Sequence, residues 1–379
     1  MNRKTLLICV PFMSLLLTSC NDAISYKEHL DDYIYTMQYH NNFNILQLTD
    51  IHWNANSSTS DSKRYLNKLF EEVDNHLQAR GEKIDLVELT GDQFMLANTY
   101  HVKTFISYFE EKAEQYGFEY ASIWGNHDRH GLYNPNWLSD RFKNAKHSIY
   151  LEPDDDLYGR SNFVINLTTD GSKNTNTVWQ IANLDSGASF SESAISVGRD
   201  YDYIREDQVD WWLKENEKAN NAPTIAYYHI AQDENEKAWQ DIKVDPTRHT
   251  NKFFKLEDFA SNESEKYASN FIDEGRTHNL KAAFMGHAHN VDWTVDYDGV
   301  LLGLGVKTGP ELYFAHIDVN SNDDNMKKGL ESIQEAGISE NFDLIGASLV
   351  TIKDTDNFDL EHLYFNERAN ENFAKWVKW

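Results

Sequence analysis

Short apolar runs alternate with longer amphipathic segments along the first third of the chain. Residues 44–50, 84–92 and 120–124 form apolar runs of strand length. Between them, residues 62–79 and 100–116 carry apolar side chains at the spacing of one helix face. This alternation predicts βαβ units and a largely parallel sheet.

Apolar runs of the same length continue through the rest of the chain. They predict further strands at residues 162–167, 178–184, 224–229, 281–286, 299–306 and 346–352. Trp211 and Trp212 lie in an amphipathic segment, which predicts a helix with both rings in the core. The acidic stretches 152–156 and 320–325 are typical of surface loops, and the first lacks the glycine and ligand spacing of a calcium loop. Because no repeat or Pro/Gly-rich boundary interrupts the pattern, we expect one domain over residues 42–379.

The N-terminus has the layout of an export signal. Arg3 and Lys4 precede an apolar run over residues 6–17, which is too short to span a bilayer. The run ends in "LTSC", which resembles a bacterial lipobox and implies cleavage before Cys20 and lipidation of its thiol. A lipid on Cys20 would anchor the protein at the outer face of the cell membrane. An ordinary signal peptide and a short uncleaved anchor remain alternatives. Residues 21–41 are predicted to be a tether, with a short helix considered around residues 26–39.

The net charge and the cysteine content limit the kinds of partner and chemistry that the protein can have. The formal net charge of −26 over 379 residues excludes the basic footprint of a nucleic-acid-binding protein. A phosphate substrate would need a concentrated local positive charge, and bound metal ions are one source. Cys9 and Cys20 are the only cysteines, so no thiolate from residues 21–379 can bind a metal or act as a nucleophile.

Five apolar runs each end in side chains that bind metals or transfer protons. Ligand sites in open α/β sheets lie outside the carboxyl ends of the strands. We therefore expect one site that gathers these residues, which are Asp50 with His52, Asp92, Asn126 with His127 and Asp128, His229, and His287 with His289. His278 is a rival for the position of His229, although it lies in a helix-like stretch.

The series "DIH" (50–52), "GD" (91–92), "GNHD" (125–128), a histidine at 229 and "GHAH" (286–289) resembles the calcineurin-like metallophosphoesterases. The similarity covers residues 43–310 and is strongest to the purple-acid-phosphatase-like branch. It implies an α/β fold in which two β-sheets pack face to face with helices on the outside.

The resemblance also implies the roles of the site residues. Asp50, His52, Asp92 and His289 would hold one metal ion, and Asp92, Asn126, His229 and His287 would hold the second. A metal-bridging hydroxide would attack phosphorus. His127 would protonate the leaving group, and Asp128 would orient the His127 ring. An oxygen and nitrogen ligand set suits Mn, Fe or Zn.

Several alternatives remain open from the sequence. Asp128 could instead cap its own loop, His130 could contact substrate or be solvated, and Trp53 could line the pocket or pack in the core. Met95 stands where true purple enzymes carry the tyrosine that colours the iron, so colour is not expected. The favoured substrates are phosphomonoesters, as small molecules or phosphoproteins. A phosphodiesterase or nucleotidase, and a non-catalytic binding lipoprotein, are the other readings.

Overall fold

A computed structural model describes most of the chain from Tyr33 onward. The described residues are 33–53, 59–129, 135–152, 157–173, 175–188, 201–245, 251–255, 269–289, 291–309, 327, 331, 345–366 and 373–378. The proposed signal sequence with Cys20, His130, and the acidic residues 154–156 and 320–325 lie outside these ranges.

Among the described residues, the first β-sheet has seven strands and contains the βαβ units that the sequence predicts. Its spatial order is β15-β14-β13-β2-β3-β4-β5, and β2 to β5 are parallel to one another. The strands are β2 (Phe43–Leu48), β3 (Leu86–Thr90), β4 (Glu119–Ile123), β5 (Ser148–Ile149), β13 (Ile345–Ile352), β14 (Phe358–Asn366) and β15 (Phe373–Lys378).

The second sheet, as far as the structure describes the chain, has eight strands in the order β1-β6-β7-β8-β10-β12-β11-β9. At its centre β7, β8, β10 and β12 run parallel. The strands are β1 (Ile34–Gln38), β6 (Phe163–Thr168), β7 (Thr177–Asn183), β8 (Thr224–Tyr227), β9 (Asn251–Lys255), β10 (Leu280–Met285), β11 (Val291–Tyr297) and β12 (Val300–Leu304).

The two sheets pack face to face, and helices cover their outer surfaces. Ile45 and Leu86 of the first sheet share one buried apolar cluster with Ile181 and Ile225 of the second. The helices are α1 (Thr59–Gln78), α2 (Thr99–Tyr116), α3 (Pro135–Lys143), α4 (Glu206–Lys218), α5 (Asp233–Val244) and α6 (Phe271–Thr277). This arrangement confirms the predicted fold class.

Alternation of side chains along each strand explains why both faces of the first sheet are apolar. Leu86 of β3 points between the sheets, whereas Val87 and Leu89 join the cluster of α1 and α2 on the outer face. Strands that are covered on both sides read as continuous apolar runs, which is why β2, β3 and β4 were visible in the sequence. None of the described helices combines the length and apolar character needed to cross a bilayer.

The N-terminal part of the domain differs from the sequence prediction. Residues Ile34–Gln38 form β1, which pairs in parallel with β6, so the helix considered around residues 26–39 is wrong for this part. The sheet thus begins within the stretch expected to be a tether. The alternating, β-branched and aromatic sequence "IYTMQ" suits an edge strand. The hydrogen bonds of β1 are made with β6, more than one hundred residues later, so the sequence of residues 34–38 alone does not predict them.

The tryptophan helix is confirmed. Trp212 of α4 is fully buried and Trp211 packs partly buried against the same core. His278 follows the last residue of α6, and its Nε2 atom lies 3.8 Å from Glu217 on the protein surface. It therefore does not take the position of His229.

Candidate metal centre

The carboxyl ends of five parallel strands, three in one sheet and two in the other, meet at one site. Asp50 follows the last residue of β2 by two positions, and Asp92 follows β3 by the same distance. His229 and His287 stand in the same relation to β8 and β10, and Asn126 comes three residues after β4. The structure brings these side chains together, as the strand-end pattern predicts.

The first group consists of Asp50, His52, Asp92 and His289, whose ligand atoms all lie within 4.8 Å of one another. The Nε2 atoms of His52 and His289 are 3.2 Å apart, and His289 Nε2 is 3.1 Å from Asp50 Oδ1. Asp92 Oδ2 lies 3.8 Å from His52 Nε2. Such a set of two imidazoles and two carboxylates fits a divalent cation such as Mn, Fe or Zn.

The second group shares Asp92 with the first. Asp92, His229 and His287 place their ligand atoms within 4.8 Å of one another. The side-chain oxygen of Asn126 is 3.2 Å from His229 Nε2, so the amide reaches the same point. His229 Nδ1 lies 2.9 Å from the carbonyl oxygen of Thr90, to which it can donate, and this leaves the Nε2 lone pair for a metal.

Four of these residues have left-handed backbone conformations. The φ angles are +52° for Asp50, +46° for His52, +52° for Asp92 and +72° for His287. Each such non-glycine residue costs about 1–3 kcal/mol, and the strain persists only where surrounding structure enforces it. Its concentration at the ends of strands in both sheets is typical of a functional site.

Two glycines allow the strand ends to approach one another. A Cβ atom on Gly125 would overlap the Asp92 carboxylate, and one on Gly286 would overlap Thr49 Oγ1 and approach Asp50 Oδ2 to 2.7 Å. A side chain at either position would therefore displace a carboxylate of the candidate metal site. The glycines of "GNHD" and "GHAH" are required by this close packing.

The two carboxylates are held in their charged forms. Burial raises the pKa of Asp50, but the facing His289 outweighs it and holds the pKa well below its usual range. Burial likewise opposes ionisation of Asp92, and the charges of His229 and His127 hold its pKa well below normal. Both side chains are therefore anionic at neutral pH, as cation ligands must be.

The histidines of the site differ in the direction in which their pKa values are shifted. Burial and the nearby positive charge of Lys307 hold the pKa of His52 well below its normal value, and burial together with the charge of His229 lowers that of His287 to about 3. Burial also lowers the pKa of His229, but Asp92 outweighs it and raises the pKa to about 9. A metal in the second group would have to displace the His229 proton.

Orphaned polar atoms support metal binding on chemical grounds. Within the described part of the chain, Asp92 Oδ2 and His287 Nε2 are buried without a hydrogen-bond partner. Buried polar atoms are normally satisfied, so unsatisfied ligand atoms point to an ion. The short distance of 3.2 Å between the Nε2 atoms of His52 and His289 is also explained if both lone pairs bind one cation. The residues present therefore fit two metal ions that share Asp92.

His127 lies at the edge of this cluster. Its side chain is 22% exposed, against 1% or less for His52 and His229. Its backbone amide donates to Asp92 Oδ1 at 2.8 Å, and its Nε2 atom lies 4.0 Å from Asp92 Oδ2. The ring therefore lies beside the carboxylate that both groups share and is partly exposed at the protein surface.

Asp128 accepts hydrogen bonds from its own loop and from the loop that follows Asp92. One carboxylate oxygen accepts from the backbone amide of Phe94 and the other from that of Gly125, both at 2.9 Å. Burial, reinforced by the charge of Asp92, raises the pKa of Asp128 well above normal. These bonds favour the loop-capping alternative, and orientation of the His127 ring by Asp128 stays a prediction. Trp53 is buried, donates to Thr104 Oγ1 at 3.0 Å and packs in the core.

Sequence reasoning missed one segment of the site, which comprises residues 305–309. Lys307 is 2% exposed, and its ammonium group donates to the backbone carbonyl of Asp50. The sequence "GVKTG", which overlaps the end of the strand predicted at residues 299–306, is the only signal that could have pointed to it.

Comparison with known proteins assigns the family. Residues 43–291 match the calcineurin-like phosphoesterase family. Over 305 residues, 72% of this chain and 71% of the relative, the sequence is 24% identical to an Arabidopsis thaliana protein named "Probable inactive purple acid phosphatase 28". The crystal structure of a dimetal phosphatase from Danio rerio aligns over 85% of this chain and 96% of its own at 11% identity, with a TM-score of 0.48. Because the family match spans well over half of the chain, the protein belongs to the calcineurin-like phosphoesterase family.

Proposed function

We propose that this protein hydrolyses phosphate esters with two metal ions, and that phosphomonoesters or phosphoproteins are its substrates. One observation carries the proposal: two ligand groups, each of a size to hold one ion, share the single carboxylate of Asp92. The purple-acid-phosphatase-like sequence motifs support the choice of monoesters.

When bound, two such ions activate a water molecule and stabilise charge on the phosphoryl oxygens. Asp50, His52, Asp92 and His289 would hold the first, and Asp92, Asn126, His229 and His287 the second. Neutral ligands predominate in the second group, which leaves net positive charge for an anionic phosphate. The protein as a whole carries −26, so this local charge must supply the attraction.

His127 would act on the leaving group. Its ring is more exposed than those of His52 and His229 and lies next to the shared carboxylate, where a bound ester would present its leaving oxygen. A protonated imidazole there donates a proton as the P–O bond breaks, an effect worth about 10²–10⁴-fold in rate.

A panel of substrates tests the proposal. The protein, produced without residues 1–20, would be loaded separately with Mn²⁺, Fe²⁺ and Zn²⁺ and assayed on p-nitrophenyl phosphate, bis-p-nitrophenyl phosphate, nucleotides and a phosphopeptide. Turnover of monoesters well above diesters supports the proposal. Preference for diesters or nucleotides would replace it with the phosphodiesterase or nucleotidase alternative. Metal binding without turnover would favour a non-catalytic binding lipoprotein, and neither metal nor turnover would defeat the enzyme proposal.

We also propose that the protein is anchored through a lipid on Cys20 at the outer face of the cell membrane. The support lies in the sequence alone, in the apolar run 6–17 followed by "LTSC". Mass spectrometry of the N-terminal peptide, in the native protein and in Cys20→Ser, tests it. A diacylglyceryl mass on Cys20 is expected, and an unmodified residue 20 or an intact N-terminus would refute the anchor.

A further inference from the structure

The segment that follows β12 is attached along the first metal-ligand loop. Thr308 donates its amide to the carbonyl of Thr49 at 2.8 Å, and its Oγ1 atom accepts from the Thr49 amide at 3.1 Å. Gly309 donates its amide to the carbonyl of Asp50 at 3.2 Å. A Cβ on Gly309 would overlap the carbonyl of Ile51, so the two backbones are in direct contact. Residues 49–52 are thus bound to a strand end more than 250 positions away.

Lys307 adds two side-chain hydrogen bonds to this attachment. Its Nζ atom donates to the carbonyl of Asp50 and to the carbonyl of Gly309, both at 2.9 Å. The side chain is 2% exposed. Lysine is rarely buried to this degree without specific partners. One ammonium group therefore ties together the carbonyls of the two facing loops.

The carbonyl that Lys307 holds belongs to a strained metal-ligand residue. Asp50 and His52 both have positive φ, at +52° and +46°, and neither is a glycine. Without enforcement, such residues relax to ordinary backbone angles. A rotation of the Asp50 backbone would move its carboxylate away from His289, from which it is now separated by 3.1 Å.

We propose that Lys307 is a positioning residue for the first metal ion, and that it acts by fixing Asp50 and His52 in the conformation that binds it. This inference rests on the proposed two-metal function. Electrostatics alone would give the opposite effect, because a buried ammonium repels a nearby cation. Loss of the positive charge would then strengthen metal binding, whereas loss of the clamp would weaken it. The sign of the change separates the two roles.

Lys307→Met is the test, with Mn²⁺ as the probe. Methionine is unbranched like lysine and only one atom shorter, and it removes the ammonium group with its charge and its two hydrogen bonds. Calorimetric titration of the metal-free protein with Mn²⁺ should show that one of the two sites loses about 10–100-fold in affinity. This is the usual effect of removing a residue that hydrogen-bonds to a metal ligand. Electron paramagnetic resonance at two equivalents of Mn²⁺ should change from the signal of a coupled pair to that of a single ion. Lys307→Arg, which keeps the charge and donors, should retain more of the coupled signal.

Lys112→Met is the matched control. Lys112 is also buried, on α2, and donates to Gln115 Oε1 at 2.8 Å among the rings of that helix. This substitution should leave both Mn²⁺ sites unchanged. If Lys307→Met does not fold, Thr308→Val loosens the same attachment without touching the ammonium, and it should weaken one site by a smaller factor.

Unchanged or tighter Mn²⁺ binding in Lys307→Met, or in Thr308→Val where the first variant does not fold, would overturn the inference. Wild-type protein that binds fewer than two Mn²⁺ ions would instead defeat the two-metal proposal itself. The wild-type titration therefore distinguishes the two failures.

Discussion

The Nε2 atoms of His52 and His289 face each other at 3.2 Å, although 237 positions separate the residues along the chain. His52 comes from the end of a strand in the first sheet and His289 from the end of a strand in the second. Two imidazole nitrogens at this distance are compatible only with a shared proton or a shared cation. The centre is therefore a junction between the two sheets, and cations bound there would link them.

Asp92→Ala should remove both metal ions and all turnover. The Asp92 carboxylate belongs to both ligand groups, and no other described carboxylate does. Metal content by mass spectrometry of the dialysed protein should fall from two ions to none. Asp85→Ala is the control, because Asp85 is a buried aspartate that accepts from the Asn44 amide at 2.9 Å and belongs to neither group. Two tightly bound ions in Asp92→Ala would contradict the shared-ligand arrangement.

His127→Ala should keep both metals and lose rate. Its ring belongs to neither ligand group, so metal content should match the wild type while kcat falls by about 10²–10⁴-fold on substrates with poor leaving groups. The loss should shrink on p-nitrophenyl phosphate, whose leaving group needs little protonation. His101→Ala, on the surface of α2, serves as control. Equal rates for His127→Ala and wild type on alkyl phosphates would remove the general-acid role.

Gly125→Ala should disrupt the centre through geometry alone. The new methyl group would overlap the Asp92 carboxylate and its backbone amide, so we expect weaker metal binding and a lower melting temperature in the presence of Mn²⁺. Gly81→Ala is the comparison, because Gly81 has a φ of +72° with nothing within 4 Å of a new Cβ. It should cost only about 1–2 kcal/mol of backbone strain and leave metal binding intact. Equal metal affinity in the two variants would contradict the close approach.

Glu88 should make the protein less stable as the pH rises. It is fully buried on β3 between the sheets, and burial raises its pKa to about 8, opposed only in part by Asn183. The folded state therefore keeps the proton that the unfolded state loses near its ordinary pKa of about 4.3. Stability from this group is complete below that value and is lost progressively as the pH rises towards 8.

Chemical denaturation of wild type and Glu88→Gln between pH 5 and pH 8.5 measures this effect. Glutamine keeps the shape and cannot ionise, so the variant should gain stability relative to wild type as the pH increases. Taking the difference between the two proteins cancels the titration of the metal ligands. Glu217→Gln, whose side chain is 65% exposed, is the control and should show no such trend. A difference that stays constant with pH would show that Glu88 is not neutral in the folded protein.

Local pattern was sufficient for the parts of the fold that are buried on both sides. The strands β2, β3, β4, β8 and β10 are short, mostly apolar, buried along nearly their whole length and followed within three residues by a candidate ligand, so their ends could be placed together from the sequence. The strands β1, β5, β9, β11, β14 and β15 were not predicted. The edge strands β1 and β9 pair with strands far along the chain, β6 and β11, whereas β11, β14 and β15 form antiparallel pairs with strands adjacent in the sequence.

Contacts between residues that are distant in the sequence were also missed within the site. Which group Asp128 contacts depends on the turn after Asp92, whose Phe94 amide it accepts, and no spacing rule reveals this. Lys307 was invisible as a site residue because its partner carbonyl belongs to Asp50, 257 positions earlier. A side chain that can bind a metal is recognised from its residue type, whereas a lysine that donates to backbone carbonyls is not.

The strand β1 begins at Ile34, and this sets how far the domain could stand from a lipid on Cys20. Only residues 21–33 would connect the two, and thirteen residues reach at most about 45 Å when fully extended. A domain of this size is itself about as wide. An anchored molecule would therefore work within roughly one molecular diameter of the bilayer, and substrates larger than that gap would have to approach from the side facing away from it.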